Sequence, residues 1–294
     1  MNTDNALIFS LEADALANHL SQIMGIEQGG LEHRIFPDGE HYLRVLTDCT
    51  QKSVILCVHL DHPNAKLLEL IFLAKAVREQ GAKRVGLVVP YLPYMRQDKA
   101  FQPGEVVTSR HFAQLLSTYF DWLVTVDPHL HRYHSLDEIY TLQSTVVAAA
   151  PVIAQWILAS VQNPLLIGPD SESEQWVADV ATRAGAPYQI LNKTRYGDYE
   201  VAVSPIDFAD FRQHTPVLVD DIISSGKTLL MTLAQLQQMA LPNAICIAVH
   251  GLFAGDAYRQ LQQQAEVLTC DCVPHPSNRI TMTPAIADAV LALL

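Results

Sequence analysis

The stretch Asp220-Asp221-Ile222-Ile223-Ser224-Ser225-Gly226-Lys227-Thr228 follows the apolar run Val217-Leu218-Val219 and leads into a helical pattern. Ser224, Ser225 and Thr228 offer hydroxyl donors, and Gly226 lets the main chain approach a ligand closely. A helix start behind such a turn adds free N–H groups and a positive dipole end, which suits a phosphate. The two acids suit something else: neutral donors such as the vicinal hydroxyls of a ribose, or a hydrated magnesium ion. Gly226-Lys227-Thr228 imitates the tail of a P-loop, but that motif needs glycine five positions before Gly226, where Asp221 stands. An ordinary strand-to-helix turn capped by serine, with two solvated acids, is the plainer alternative.

Five other stretches carry candidate groups. In Arg34-Ile35-Phe36-Pro37-Asp38-Gly39-Glu40, Phe36 can stack on a purine face while Asp38 and Glu40 accept hydrogen bonds from an exocyclic amine. A Pro-Asp-Gly turn between two strands explains the same residues without a ligand. Pro90-Tyr91-Leu92-Pro93-Tyr94-Met95-Arg96-Gln97-Asp98-Lys99 follows the apolar run Val85–Val89 and sets Arg96 and Lys99 where cations can face nucleotide phosphates. Val124-Thr125-Val126-Asp127-Pro128-His129 ends an apolar run on an acid and an imidazole, whose neutral ring can ligate a metal. His129, His131 and His134 invite a zinc reading, but nothing in the sequence completes a tetrahedral set, and His131 and His134 are read as surface or structural residues. Gly168-Pro169-Asp170 closes the run Leu165–Ile167, and Asn192-Lys193-Thr194-Arg195-Tyr196-Gly197-Asp198 reads by itself as an exposed basic loop.

These groups need a scaffold, and the hydrophobic pattern supplies one. Short β-rich runs at Ala6–Phe9, Val54–Cys57, Val85–Val89, Trp122–Val126, Leu165–Ile167, Val217–Val219 and Ile245–His250 alternate with helical patterns. The helices are expected over Asn64–Gln80, Ser109–Tyr119, Ser173–Ala184 and Thr228–Met239. In the first, Leu67, Leu68, Leu70, Ile71, Ala74 and Val77 recur at helical spacing before Gly81. Such alternation predicts an α/β fold with mainly parallel sheets flanked by helices. The pattern runs twice. One unit ends near Ser144, where Thr141–Thr145 breaks the strand rhythm, and a second opens with a helix around Val152–Ser160, giving expected domains 1–146 and 147–294. In open parallel sheets ligands collect at the carboxyl ends of strands.

Composition bounds the function. The chain of 294 residues is 49% hydrophobic and 17% charged, enough to bury a sizeable core. Nineteen basic residues against 31 acidic ones leave a net charge of −12. Broad electrostatic attraction to nucleic acid or an anionic membrane is therefore not expected, and an anionic substrate needs local cations. The five cysteines form no regular framework; Cys57 and Cys246 lie in apolar runs, and Cys270-Asp271-Cys272 is too short for a zinc motif. A reduced cytoplasmic setting fits. Met1–Asn5 lacks the basic start of a secretory leader, and the longest apolar stretch, Val146–Val161, contains Pro151 and Gln155 and is too short to span a membrane.

Taken together, the motifs from Arg34 to Thr228 resemble those of the ribose-phosphate pyrophosphokinase family, with Phe101–Arg110 most like its archaeal-type members and a weaker echo at Pro274–Asn278. The segment Val219–Thr228 resembles the phosphoribosyl-pyrophosphate motif that this family shares with phosphoribosyltransferases. The resemblance implies two phosphoribosyltransferase-type domains, an ATP-binding one followed by one for ribose 5-phosphate. It implies ATP contacts from Phe36, Asp38, Glu40, Arg96, Gln97 and Asp98, and ribose 5-phosphate contacts from Asp220, Asp221, Ser224, Ser225, Gly226, Lys227 and Thr228. Magnesium (Mg2+) would be held by His129 and Asp170, with Asp127 assisting through water. Lys193 and Arg195 match the Lys-x-Arg of the family's catalytic loop, whose cations stabilise the charge of diphosphoryl transfer. The implied activity is transfer of the diphosphoryl group of ATP to the 1-hydroxyl of ribose 5-phosphate, by a homo-oligomer. Two departures stand out, Lys227 where small residues are usual and Glu172 where glycine is usual. A phosphoribosyltransferase needs only one such unit and no adenine site; a catalytically silent regulatory homologue would be expected to lose the Lys-x-Arg loop or the metal residues.

Overall fold

The computed structural model describes residues 3–12, 15–191, 193–196, 200–203, 211–239, 241 and 243–294, without the side chains at 4, 172, 193–196 and 200–203. The chain divides into two compact units, Met1–Val147 with Thr283–Leu294, and Ala148–Met282.

The first unit contains β1 (Ala6–Ser10), α1 (Ala15–Met24), β2 (Glu27–Gln28), β3 (Leu31–Ile35), β4 (His41–Val45), β5 (Ser53–Cys57), α2 (Pro63–Glu79), β6 (Arg84–Val88), α3 (Thr108–Tyr119), β7 (Trp122–Val126) and β8 (Gln143–Val147). Six strands pair in parallel in the order β2-β1-β5-β6-β7-β8. The central strands are buried along nearly their whole length, because helices cover both faces of a parallel sheet, and their buried side chains are apolar apart from Thr125, whose hydroxyl donates to the Pro90 carbonyl. β3 and β4 form a separate antiparallel hairpin, with Arg34 opposite Tyr42 and Ile35 opposite His41. On α2 the buried stripe is Leu70, Ile71, Leu73, Ala74 and Val77. Leu68, counted among the apolar positions above, faces solvent, and the buried face instead includes the acid Glu69.

The second unit contains α4 (Ala150–Ser160), β9 (Pro164–Gly168), α5 (Glu174–Ala184), β10 (Tyr188–Ile190), β11 (Lys193–Tyr196), β12 (Glu200–Val203), β13 (Thr215–Ile223), α6 (Lys227–Gln238), β14 (Ala244–Gly251), α7 (Ala257–Gln262), β15 (Ala265–Cys270) and β16 (Asn278–Ile280). Its sheet is also parallel, in the order β10-β9-β13-β14-β15-β16, while β11 and β12 make a small antiparallel pair. The chain steps one way from β9 to β10 and the other way from β13 to β14. The boundary between β9 and β13 is therefore a topological switch point.

Three expectations change. Thr141–Thr145 does not end the strand rhythm: β8 is the edge of the first sheet, and its polar letters belong to side chains that an edge leaves partly in solvent. At or next to the sheet edges, β2 is Glu27-Gln28 with no apolar residue, and β10, β15 and β16 carry apolar runs too short to stand out as the seven expected strands do. The final helix α8 (Thr283–Leu291) packs on α1, β7 and β8 of the first unit, and Arg84 donates to the carbonyl of Leu293 at 2.7 Å, so residues 283–294 leave the expected second domain. Among the described residues all five cysteines are free and buried, and no helix is long and apolar enough to cross a membrane.

Candidate functional site

β13 outruns its neighbour. Its pairing with β9 stops at Leu218 opposite Ile167, whereas its pairing with β14 continues to Ile223 opposite Gly251. Asp220 and Asp221 thus belong to the strand and not to the turn after it, on an overhang above the carboxyl end of β9. Asp170 sits just past that end, its carboxylate accepting from the Ser173 N–H at 3.2 Å. Burial first, then the charges of Asp221 and Asp170, push the Asp220 carboxyl well above the usual carboxylate range. Three carboxylates therefore act on one another at the switch point, a donor set of the kind that can hold a cation or accept from hydroxyl groups.

The turn proper is Ser224-Ser225-Gly226. Gly226 is the N-cap of α6 in the left-handed region (φ 66°), and no side chain caps the helix. The serine-capped alternative is thereby excluded: the first N–H groups of α6 are not taken by a side chain and remain available to an anion. Gly226 has a second reason to be glycine, since a Cβ there would lie 3.1 Å from Leu261 Cδ1 on α7. Ser225 and Lys227 are exposed and Thr228 is half-buried. The Lys227 departure thus places a cation on the solvent side of the helix start, while Glu172 has a side chain outside the described residues.

In the first unit the candidates lie past β6 and β7. Arg96 is exposed, while Gln97 accepts from Thr108 Oγ1 at 3.4 Å. Asp98 is buried, and Arg132 Nη1 donates to both of its oxygens at 2.8 and 3.0 Å. Its carboxylate holds the loop together, and its expected nucleotide contact is already matched by an internal one. Past β7, Asp127 (φ 32°) and His129 (φ 59°) both adopt left-handed backbone, as does Tyr94 past β6 (φ 64°). Such conformations cost about 1–3 kcal/mol each in non-glycine residues and persist where the surroundings over-determine them, often at ligand sites. His131, read above as surface or structural, is brought to His129: Nε2 lies 3.1 Å from His129 Nδ1 and the rings meet edge-on at 4.0 Å. The His-x-His spacing at a strand end was the available signal. His134 is exposed and its N–H donates to Glu138, a local turn contact.

In the hairpin loop, Phe36 N–H donates to the Glu40 carbonyl at 2.8 Å and Gly39 turns the chain with φ 92°. Asp38 and Glu40 are exposed; Phe36 packs edge-on to Tyr42, and the Arg34 guanidinium lies over both rings at 4.5 and 4.7 Å. Lys193 and Arg195 are both on β11, at alternate positions opposite Val203 and Val201, with side chains outside the described residues.

A switch point carrying strand-borne acids, a hydroxyl-rich turn and an uncapped helix start defines a phosphoribosyltransferase-type fold, and residues 135–281 match a family model described as the phosphoribosyl transferase domain. Residues 6–119 match one described as the N-terminal domain of ribose phosphate pyrophosphokinase. A ribose-phosphate pyrophosphokinase of Methanopyrus kandleri is 30% identical over 95% of this chain and 96% of its own. That of Thermococcus kodakarensis is 29% identical over 93% and 94%. The chain belongs to the ribose-phosphate pyrophosphokinase family. Its fold is that of the phosphoribosylpyrophosphate synthetase of Mycobacterium smegmatis, with a TM-score of 0.86 over 98% of both chains at 23% identity.

Proposed function

We propose that this protein transfers the diphosphoryl group of ATP to the 1-hydroxyl of ribose 5-phosphate, releasing AMP. The observation that carries the reading is the second unit's pairing of an uncapped α6 N-terminus with three interacting acids, in a member of this family. The sugar phosphate sits on the main-chain N–H groups and hydroxyls of Ser224, Ser225, Gly226 and Thr228, with Lys227 adding positive charge from the solvent side. Asp220 and Asp221 accept from the ribose hydroxyls. In the first unit, Phe36, Asp38 and Glu40 receive the adenine, while Arg96 and Gln97 face the nucleotide phosphates and Asp98, through Arg132, sets their loop.

The donor chemistry fits Mg2+. The carboxylates of Asp170, Asp220 and Asp221 are the oxygen ligands a hard cation prefers, and a cation there would relieve the repulsion that raises Asp220. In the first unit His129, with Asp127 behind it, is the corresponding candidate. Bound metal would neutralise phosphate charge; the chain's own residues orient the sugar, keep the nucleotide in register and, through Lys193 and Arg195, stabilise the charge developing on the transferred group. The 1-hydroxyl oxygen attacks the β-phosphorus in line and gives up its proton to solvent, while the bond from the β-phosphorus to the bridging oxygen breaks and that oxygen leaves with AMP. Buried free cysteines fit a reducing cytoplasm, and the reading takes the working form to be a homo-oligomer.

AMP release from ATP, measured with and without ribose 5-phosphate, tests the reading. Sugar-dependent AMP is expected. Its absence would leave a transferase that consumes the product, or a silent homologue.

A further inference from the structure

The hairpin has a second face that the proposed reaction does not use. Alternation places Arg34, Phe36 and Tyr42 on one side of β3 and β4, and His33, Ile35, His41 and Leu43 on the other. That other side is the one turned to α2, whose buried face carries a single acid, Glu69, only 5% exposed. Glu69 Oε1 is enclosed and makes no hydrogen bond among the described residues. A buried carboxylate needs partners, and the groups that face this one are two imidazole nitrogens.

The three side chains converge. His41 Nδ1 lies 3.4 Å from His33 Nε2 and 3.3 Å from Glu69 Oε2, and the two rings stack at 7° with centroids 5.6 Å apart. Donors bound at about 2.0–2.1 Å to a tetrahedral ion stand about 3.3–3.4 Å apart, whereas an octahedral ion with the same bonds brings them to about 2.8–3.0 Å. Both separations match the tetrahedron. The third separation, 2.5 Å between His33 Nε2 and the other carboxylate oxygen, Oε1, is an imidazole–carboxylate contact shorter than either geometry allows, so an ion must displace it to bind. Two imidazoles also select a borderline ion over magnesium, which prefers oxygen.

We propose that His33, His41 and Glu69 form a binding site for a zinc-class divalent ion, with water in the fourth position, that clips the β3–β4 hairpin to α2. A two-stranded hairpin has little stability of its own, so a ligand set spanning both strands and the helix beneath them would fix it. This inference does not rest on the activity proposed above.

The test uses the full chain, stripped with a chelator and titrated calorimetrically with Zn2+ in a large excess of Mg2+, and separately with Co2+ followed by visible absorption. Expected are one Zn2+ per chain that survives the Mg2+ excess, the intense bands of tetrahedral Co2+, and slower amide exchange in residues 31–45. Glu69→Gln and His41→Asn should each weaken Zn2+ binding by more than about 100-fold, beyond the loss of an outer-shell partner. Should Glu69→Gln not fold, His41→Asn, at a ring one-fifth exposed, gives the same answer. Zn2+ affinity unchanged in His41→Asn, no Zn2+ bound at all, or a weak six-coordinate Co2+ spectrum would each overturn the proposal, leaving an imidazole–carboxylate contact only.

Discussion

Arg132 Nη1 reaches both oxygens of the Asp98 carboxylate, a group with 2% of its side-chain surface exposed, while Arg132 keeps 34% of its own. That asymmetry makes a prediction. Removing the arginine (Arg132→Met) strands a buried charge and should cost about 3–5 kcal/mol in urea unfolding. Removing the charge from the acid (Asp98→Asn) leaves a cation that can turn to water, and should cost only about 1–2 kcal/mol. Equal costs, or the reverse order, would mean that the pair does not pin the loop carrying Arg96 and Gln97.

Gly226 joins two constraints in one residue, the left-handed N-cap of α6 and the packing of Leu261 against it. Gly226→Ala should destabilise the protein by about 1–3 kcal/mol through the backbone conformation alone. Because the Cβ also pushes the turn off α7, KM for ribose 5-phosphate should rise while KM for ATP stays nearly constant. A matched rise in both would detach this turn from the sugar phosphate.

That turn was legible from residue types because phosphate chemistry needs hydroxyls, a glycine and a helix start within a few residues. Its exact register was not. Asp220 and Asp221 read as turn residues, and only the continued pairing with β14 shows them to be strand. Long-range partners leave no local mark: Asp98 and Arg132 are 34 positions apart, and Glu69 is 28 from His41, so neither contact follows from spacing. Edge strands such as β8 hide for a related reason, since half-solvated side chains need not be apolar. The return of α8 to the first unit is likewise invisible in a chain whose last residues follow the second sheet without a break.

Asp220 gives a pH dependence with a definite sign. Its folded-state pKa is raised, by burial and by Asp221 and Asp170, so its folded form binds a proton more readily than the unfolded chain does. Any stability it contributes is present in acid, below the ordinary carboxylate value of about 4, and is lost as pH climbs through the raised value. Asp220→Asn should therefore make the protein without metal more stable than wild type at pH 8, with the difference shrinking towards pH 4. Added Mg2+ should close the gap by stabilising the wild type alone. Unfolding curves across that range, with and without Mg2+, decide the point: a gap that persists unchanged into acid would assign the effect to packing.

Lys193 and Arg195 stand at alternate positions of β11, opposite Val203 and Val201 of β12, so both positions share one face of a short two-stranded element. If their cations meet the transferred group only as its charge develops, the interaction is absent from the ground state. Lys193→Ala should then lower kcat and kcat/KM together, by about 100- to 1,000-fold, with the KM for ribose 5-phosphate moving less than about threefold. Arg195→Ala should do the same. The double variant should fall well short of the product of the two losses, because residues acting as a unit are not additive. A variant that keeps kcat and loses only KM would make Lys193 a binding residue, and one that keeps both would remove it from the reaction.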